Sequence, residues 1–157
     1  ADAAPRQLDC NACHAGHRFD TEYASVDACL ECHADGHSQA FLTTSHYAAW
    51  QNEIAGTAPA GSGVSCATCH MPRVEDDDGN VWANHNQNDN LRPNEKMIRD
   101  VCMQCHGLGF SIDALADPQL IENCFAETPA VHVESIDLVK ARFEERQRKK
   151  EARSKKK

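Results

Sequence analysis

Four copies of one short pattern, Cys-x-x-Cys-His, constrain this 157-residue chain more than any other feature. The copies begin at Cys10, Cys29, Cys66 and Cys102, at intervals of 19, 37 and 36 residues. Because the intervals are unequal and the intervening chain is not self-similar, the sequence predicts one woven domain instead of an array of repeats. Eight of the nine cysteines belong to these motifs, and Cys124 is left over.

Each motif combines two thiols with a histidine in a fixed spacing. The thiols lie three residues apart, close to one helical turn, so both can form thioethers with the two vinyl groups of one haem while the next residue's imidazole binds the iron. Zinc ribbons do not need a histidine after each Cys-x-x-Cys unit, and a disulfide framework leaves the histidines unexplained. The sequence therefore predicts four covalently bound haem c groups. The predicted attachment residues are Cys10, Cys13, Cys29, Cys32, Cys66, Cys69, Cys102 and Cys105, and the predicted iron ligands are His14, His33, His70 and His106.

Each of the four irons has a second axial position, and five histidines lie outside the motifs: His17, His37, His46, His85 and His132. His17 and His37 follow motif histidines too closely to reach the opposite face of the same haem, so each is expected to bind a neighbouring haem. Methionine would raise the reduction potential, but Met71 and Met103 lie beside or inside motifs, and Met97 fits a helix core. We expect mainly bis-histidine, low-spin haems, with second ligands from His17, His37, His46 and His85.

Composition and periodicity predict a mainly α fold with long loops and a small β-hairpin, built around four haems. Aromatic residues make up only 6% of the chain, so side chains alone supply little large apolar volume for a core. Helices are predicted over 44–55, with Ser45 as the cap, over 95–107 through the fourth motif, and from Val133 along an apolar stripe that ends at Phe143. Asp78-Gly79 predicts the hairpin turn.

Charge is divided unevenly along the chain. Residues 140–157 hold ten Lys and Arg against three Glu, which leaves a net charge of −15 on residues 1–139. We therefore divide the chain into a tetrahaem cytochrome domain, 1–139, and a basic C-terminal helical or disordered tail, 140–157. The acidic domain favours a redox partner with a basic docking face, and the tail favours an acidic protein or membrane surface. The sequence leaves open whether the chain forms a homo-oligomer, and nucleic acid is not an expected partner.

The same features predict a location. The chain contains no apolar run long enough to span a membrane and no signal-peptide pattern. We expect a secreted protein, periplasmic or extracellular, from which a signal has been removed.

Four segments resemble a known family: Ser45-His46 with Trp50, Cys66 to Arg73, Asn84-His85-Asn86, and Val101 to Gly107. Together, over roughly residues 29–115, they resemble the octahaem hydroxylamine oxidoreductases and, more distantly, the pentahaem cytochrome c nitrite reductases. The resemblance implies that His46 and His85 are distal ligands and that haems lie in close pairs. The chain departs from both groups: it has half the haem motifs of the former, and no Cys-x-x-Cys-Lys motif of the latter.

These observations favour an electron carrier or a redox subunit of a terminal reductase, since irons with two protein ligands do not bind substrate. Two alternatives stay open. The chain could be an enzyme of nitrite or hydroxylamine type with one five-coordinate haem, or a building block of a polymeric cytochrome wire in which His132 or His17 binds a haem of the next subunit.

Overall fold

The structure, a computed structural model, describes residues 9–14 and 20–154. This part of the chain is mainly helical, with two 3₁₀ turns and one two-stranded antiparallel hairpin, so the predicted secondary-structure class is confirmed. The helices are α1 (Cys10–Cys13), α2 (Thr21–Ser25), α3 (Asp27–Leu30), α4 (Gly36–Phe41), α5 (Ser45–Ile54), α6 (Cys66–His70), α7 (Gln87–Asn90), α8 (Met97–Asp100), α9 (Leu108–Leu115), α10 (Pro118–Glu122) and α11 (Glu134–Ser154).

Helix α5 confirms the helix predicted over 44–55, but its cap differs from the prediction. The Thr44 side chain accepts a hydrogen bond from the Tyr47 amide at 3.0 Å, which makes Thr44 the N-cap and Ser45 the first helical residue. A threonine hydroxyl serves this role about as well as a serine hydroxyl, so adjacent Thr and Ser residues leave the first residue undecided by sequence. Gly56, with φ of 70°, ends the helix where predicted.

The segment after α5 returns tightly over the helix. Its amides at Gly61 and Gly63 donate to the two oxygens of Glu53, each at 2.6 Å. A Cβ atom on Gly63 would lie 2.7 Å from the Cα of Trp50, so only glycine allows this approach. The turn thereby holds the start of α6, and with it the third motif, against α5.

The side-chain core is small. Val26, Phe41 and Trp50 form its buried cluster, and Leu30, Leu42, Tyr47, Cys66 and Cys124 pack against them. Only eight hydrophobic residues of the described part are buried, which agrees with the low aromatic content. A core of this size leaves room for bulky groups that are not side chains.

The predicted hairpin is confirmed as strands β1 (Arg73–Glu75) and β2 (Val81–Ala83), in which Val74 pairs with Trp82. Gly79 adopts φ of 82° in the connecting turn, and the Asp76 carboxylate accepts the amides of Asp78 and Asn80 at 2.9 Å.

The helix predicted over 95–107 is wrong as a continuous element. A 3₁₀ turn (Asn94–Lys96) leads into α8, the chain leaves helical angles at Val101, and the motif itself begins with a second 3₁₀ turn (Cys102–Gln104). Gly107 does not end this segment; it is the N-cap of α9. A β-branched residue at the break lowers helix propensity, and helical periodicity cannot separate two short turns from one long helix.

Helix α11 contains the apolar stripe predicted from Val133. The predicted boundary between the domain and the tail, after residue 139, falls inside this helix. The domain division stays a prediction. Along the stripe, Ile136 is half-buried, whereas Val139 and Phe143 are exposed. Among the described residues, no helix combines the length and apolarity needed to cross a membrane.

Candidate haem-binding site

Three motif histidines each face one histidine from outside the motifs. The ring centroids are 6.4 Å apart for His14 and His85, 6.2 Å for His37 and His70, and 6.1 Å for His46 and His106. No histidine takes part in two of these pairs. The structure thus brings together three of the four predicted second ligands with three of the four motif histidines.

The separation of the rings suits a shared metal ion. An imidazole nitrogen binds a transition metal at about 2 Å and lies about 1 Å from its ring centre, so two axial imidazoles have centroids roughly 6 Å apart. The planes of the three pairs are inclined by 53°, 75° and 73°. Such inclinations are compatible with axial ligation, because each ring can rotate about its metal–nitrogen bond. Direct edge-to-face packing spans the same distances, so the regular pairing of motif with non-motif histidine is the more telling observation.

Backbone carbonyls orient two of the non-motif histidines. His37 Nδ1 donates to the carbonyl of Ile121 in α10 at 2.7 Å, and His85 Nδ1 donates to the carbonyl of Ala83 at the end of β2 at 2.9 Å. With Nδ1 protonated and held in this way, Nε2 keeps its lone pair for a metal. Nothing in the amino-acid pattern indicated Ile121 or Ala83, because any residue type supplies a carbonyl.

The third motif is held from the loop that carries His85. Gln87 and Asn90, at the two ends of α7, donate their side-chain amides to the carbonyl of His70 at 2.8 and 3.1 Å. Asn90 also donates to the carbonyl of Asn84 at 2.8 Å. The polar run Asn84–Asn90 therefore connects the His14–His85 pair with the His37–His70 pair. The sequence analysis had singled out only His85 and its two neighbours in this run.

Burial keeps two of the site's imidazoles neutral. Desolvation, and then the neighbouring His37 and His33, lower the pKa of His70. Desolvation, and then His106, lower the pKa of His46. A metal ligand must be unprotonated, so this shift favours metal binding at neutral pH.

A cavity of about 1850 Å³ connects the motifs. It is larger than the roughly 300–1,000 Å³ of a site for a single drug-sized ligand. All four motifs contribute to its wall together with two non-motif histidines: Cys10, His33, Cys69, Cys105, His46 and His85. Paired histidines at metal-spanning distance, with motif thiols around one shared space, fit several covalently attached haems.

The second and third motifs meet at their first cysteines. A hydrogen bond from Cys66 to Cys29 lowers the pKa of Cys29 to about 7 and raises that of Cys66. Burial, and then Cys102 and Cys124, raise the pKa of Cys69 to about 12. The hydrogen bond between Cys29 and Cys66 means that the attachment points of the second and third motifs lie close together.

The remaining candidate ligands do not form such pairs among the described residues. His33 has no facing histidine among the described residues, and His17 lies outside them. Both ring nitrogens of His132 are engaged, Nδ1 with Asp113 at 2.9 Å and Nε2 with Asp137 at 2.8 Å. His132 is therefore not available as an iron ligand in this conformation. Met97 is buried, as a core residue should be, although it also touches the cavity.

This combination of motifs, histidine pairs and a shared cavity is typical of c-type cytochromes. The family model for cytochrome c552 matches residues 38–156. The match covers well over half of the chain, which therefore belongs to the cytochrome c552 family and carries covalently bound haem c in a redox role. No solved structure matches the chain. The matched region contains the third and fourth motifs, whereas the first and second motifs lie before it.

Proposed function

We propose that this chain is a tetrahaem electron-transfer cytochrome with bis-histidine, low-spin haems, acting as a carrier or as a redox subunit of a terminal reductase. The observation that carries the proposal is the set of three histidine pairs at 6.1–6.4 Å, each joining a motif histidine to a non-motif one. Each pair would hold one iron from both sides, and the motif thiols would attach the porphyrin.

In the proposed arrangement, histidine ligands on both sides of each iron would restrict the haems to electron transfer. A haem supplies a one-electron redox couple at its iron. Two imidazoles per iron leave no position for substrate, and the Ile121 and Ala83 carbonyls hold His37 and His85 in the tautomer that ligates. Imidazole at both positions, without methionine, favours comparatively low reduction potentials.

The remaining haem, on Cys29 and Cys32, is proposed to take His33 and His17 as ligands. The support is elimination: His132 is engaged by two carboxylates, and the other three non-motif histidines face other motif histidines. We also propose a periplasmic or extracellular location, which is typical of c-type cytochromes of this family.

Carbon monoxide binding to the fully reduced, natively matured protein tests this function, because ferrous haem binds the gas only where an axial position is open. We expect intact mass to show four haem additions and the reduced spectrum to stay unchanged under carbon monoxide. The His85→Ala variant serves as the positive control and should bind one equivalent. One equivalent bound by the wild type would instead support the enzyme with an open haem.

A further inference from the structure

One side of helix α11 forms an exposed surface that contains none of the candidate haem ligands. At 100° per residue, Arg142, Arg146, Lys150 and Arg153 fall within one 80° sector of this helix, and Val139 and Phe143 lie in or directly beside it. All six are exposed, with Val139 at 67% and Phe143 at 61%. We name this surface the basic sector.

Acidic residues keep to the other side of the helix. Asp137, Glu144 and Glu151 follow one another at intervals of seven residues, so they form a row roughly opposite the basic sector. Lys149, at the border of the sector, is already paired with Glu145 at 2.5 Å. Lys140 and Arg148 also lie on that other side, whereas the basic sector contains no carboxylate. A sector whose exposed charged side chains are all basic suits an acidic occupant, and Val139 and Phe143 suit one with some apolar character.

The hairpin presents the complementary surface. Asp77 and Asp78 are exposed at its turn, and the neighbouring Trp82 is 48% exposed. Arg73 and Ala83 line the haem cavity, and side chains alternate between the two faces of a strand, so Trp82 lies on the face away from the cavity. Haem in that cavity does not cover it. We name this surface the acidic hairpin.

We propose that the basic sector of α11 docks on the acidic hairpin of a second copy of this chain. Each surface combines exposed charge of one sign with exposed apolar groups, and the signs are opposite. The net charge of −15 on residues 1–139 of the second copy also attracts the tail, which carries +7. Because the two surfaces differ, the contact is head-to-tail, and each copy can bind one neighbour at either end.

The contact should be weak. The sector from Val139 to Arg153 extends over about 22 Å, and the three-residue strands over about 10 Å. Such areas fall in the class of small, transient interfaces below about 1,200 Å², which includes electron-transfer encounters.

Sedimentation velocity on the natively matured full chain tests the proposal. We expect the average mass to rise with protein concentration at 0.1 M salt or below and the rise to vanish near 1 M, since the screening length falls from about 10 Å to about 3 Å over that range. The Arg142→Glu/Arg146→Glu double variant should lower the association constant by up to about tenfold, and so should the Asp77→Lys/Asp78→Lys double variant. Mixing these two variants should restore association, because the reversed surfaces are again complementary.

A matched pair of variants separates the sector from the charge of the helix as a whole. Arg146→Glu, in the sector, should weaken association, whereas Arg148→Glu, on the other side with the same change of charge, should not. The proposal is overturned by equal effects of these two variants, by failure of the mixture to associate, or by a wild type that is monomeric at low salt. Binding of α11 to anionic vesicles without self-association would likewise overturn it and would assign the sector to a membrane.

Discussion

Single histidines decide the spin state of each iron in the proposed arrangement. Removing His37, His46 or His85 leaves one iron with a single protein ligand, so each alanine variant should convert one haem from low to high spin and leave the others unchanged. Electron paramagnetic resonance of the oxidised variants measures this directly. His132→Ala is the control and should stay fully low-spin, because Asp113 and Asp137 occupy its ring nitrogens. A wholly low-spin spectrum for His85→Ala would remove His85 from the ligand set.

A second prediction concerns the effect of Gly63 on stability. A Cβ atom there would meet the backbone of Trp50 at 2.7 Å and the Glu53 carboxylate at 2.6 Å, and main-chain atoms cannot move aside cheaply. Gly63→Ala should therefore lower the free energy of unfolding by about 1–3 kcal/mol, the usual cost of overpacking. Thermal unfolding checks this, with Gly36→Ala as control because no atom lies within 4 Å of its added Cβ. Equal stability of the two variants would contradict the close approach.

The histidine pairs show how far residue patterns alone can go. By counting ligands and by resemblance, the sequence predicted as second ligands the three non-motif histidines that face motif histidines in the fold, but it could not match His37 with His70 or His14 with His85. Those partners are 33 and 71 residues apart. Only the fold brings them within a few ångströms, and no local spacing encodes that.

Helices α9 and α11 are joined by His132, which lies in the turn before α11. Its Nδ1 and Nε2 donate to Asp113 and Asp137, and Asp113 also accepts the Val133 amide at 2.9 Å. The hydrogen bond to Asp113, then that to Asp137, raises the pKa of His132. The Val133 amide, followed by His132, and with Lys140 also nearby, lowers the pKa of Asp113.

The direction of the pH effect follows from these shifts. A histidine with a raised pKa stabilises the fold fully below its unfolded value of about 6.5 and loses that effect as pH rises through its folded pKa. An aspartate with a lowered pKa contributes above its unfolded value of about 3.9 and loses that effect as pH falls through its folded pKa. The junction is thus strongest between about pH 4 and 6.5.

Comparing thermal unfolding of the wild type with His132→Gln across pH tests this junction. The wild type should be the more stable near about pH 5.5, and the difference should shrink as the pH rises past the histidine's raised pKa. Because both proteins carry the same haems, titration of the cofactors cancels in the difference. A difference that stays constant or grows with pH would show that His132 does not act as an imidazolium.

Elements near the motifs were the hardest to predict. The helix over 44–55 has its own cap and stop residues, so its sequence was sufficient to place the helix, although not to choose between Thr44 and Ser45 as its cap. The segment around the fourth motif lacks such cap and stop residues. Its turns are shorter than two helical periods, and the break at Val101 falls where the apolar periodicity does not change. Its geometry depends on what surrounds it, chiefly α8 and α9.

The whole molecule is organised around space that side chains do not fill. Its buried hydrophobic cluster comprises three residues, whereas the cavity shared by the four motifs measures about 1850 Å³. The low aromatic content predicted such a need for other core material, but the sequence alone could not show that the motifs open onto one connected cavity. Cys29 and Cys66, of the second and third motifs, are hydrogen-bonded, so haems attached to these two motifs would be close enough to exchange electrons.

Near-infrared magnetic circular dichroism of the oxidised, natively matured protein tests the central claim most directly, because its band positions distinguish bis-histidine from histidine–methionine ligation. We predict four low-spin bis-histidine haems per chain, three of them from the pairs His14–His85, His37–His70 and His46–His106. A histidine–methionine band, or fewer than three bis-histidine haems, would contradict the ligand pairs on which the proposed function rests.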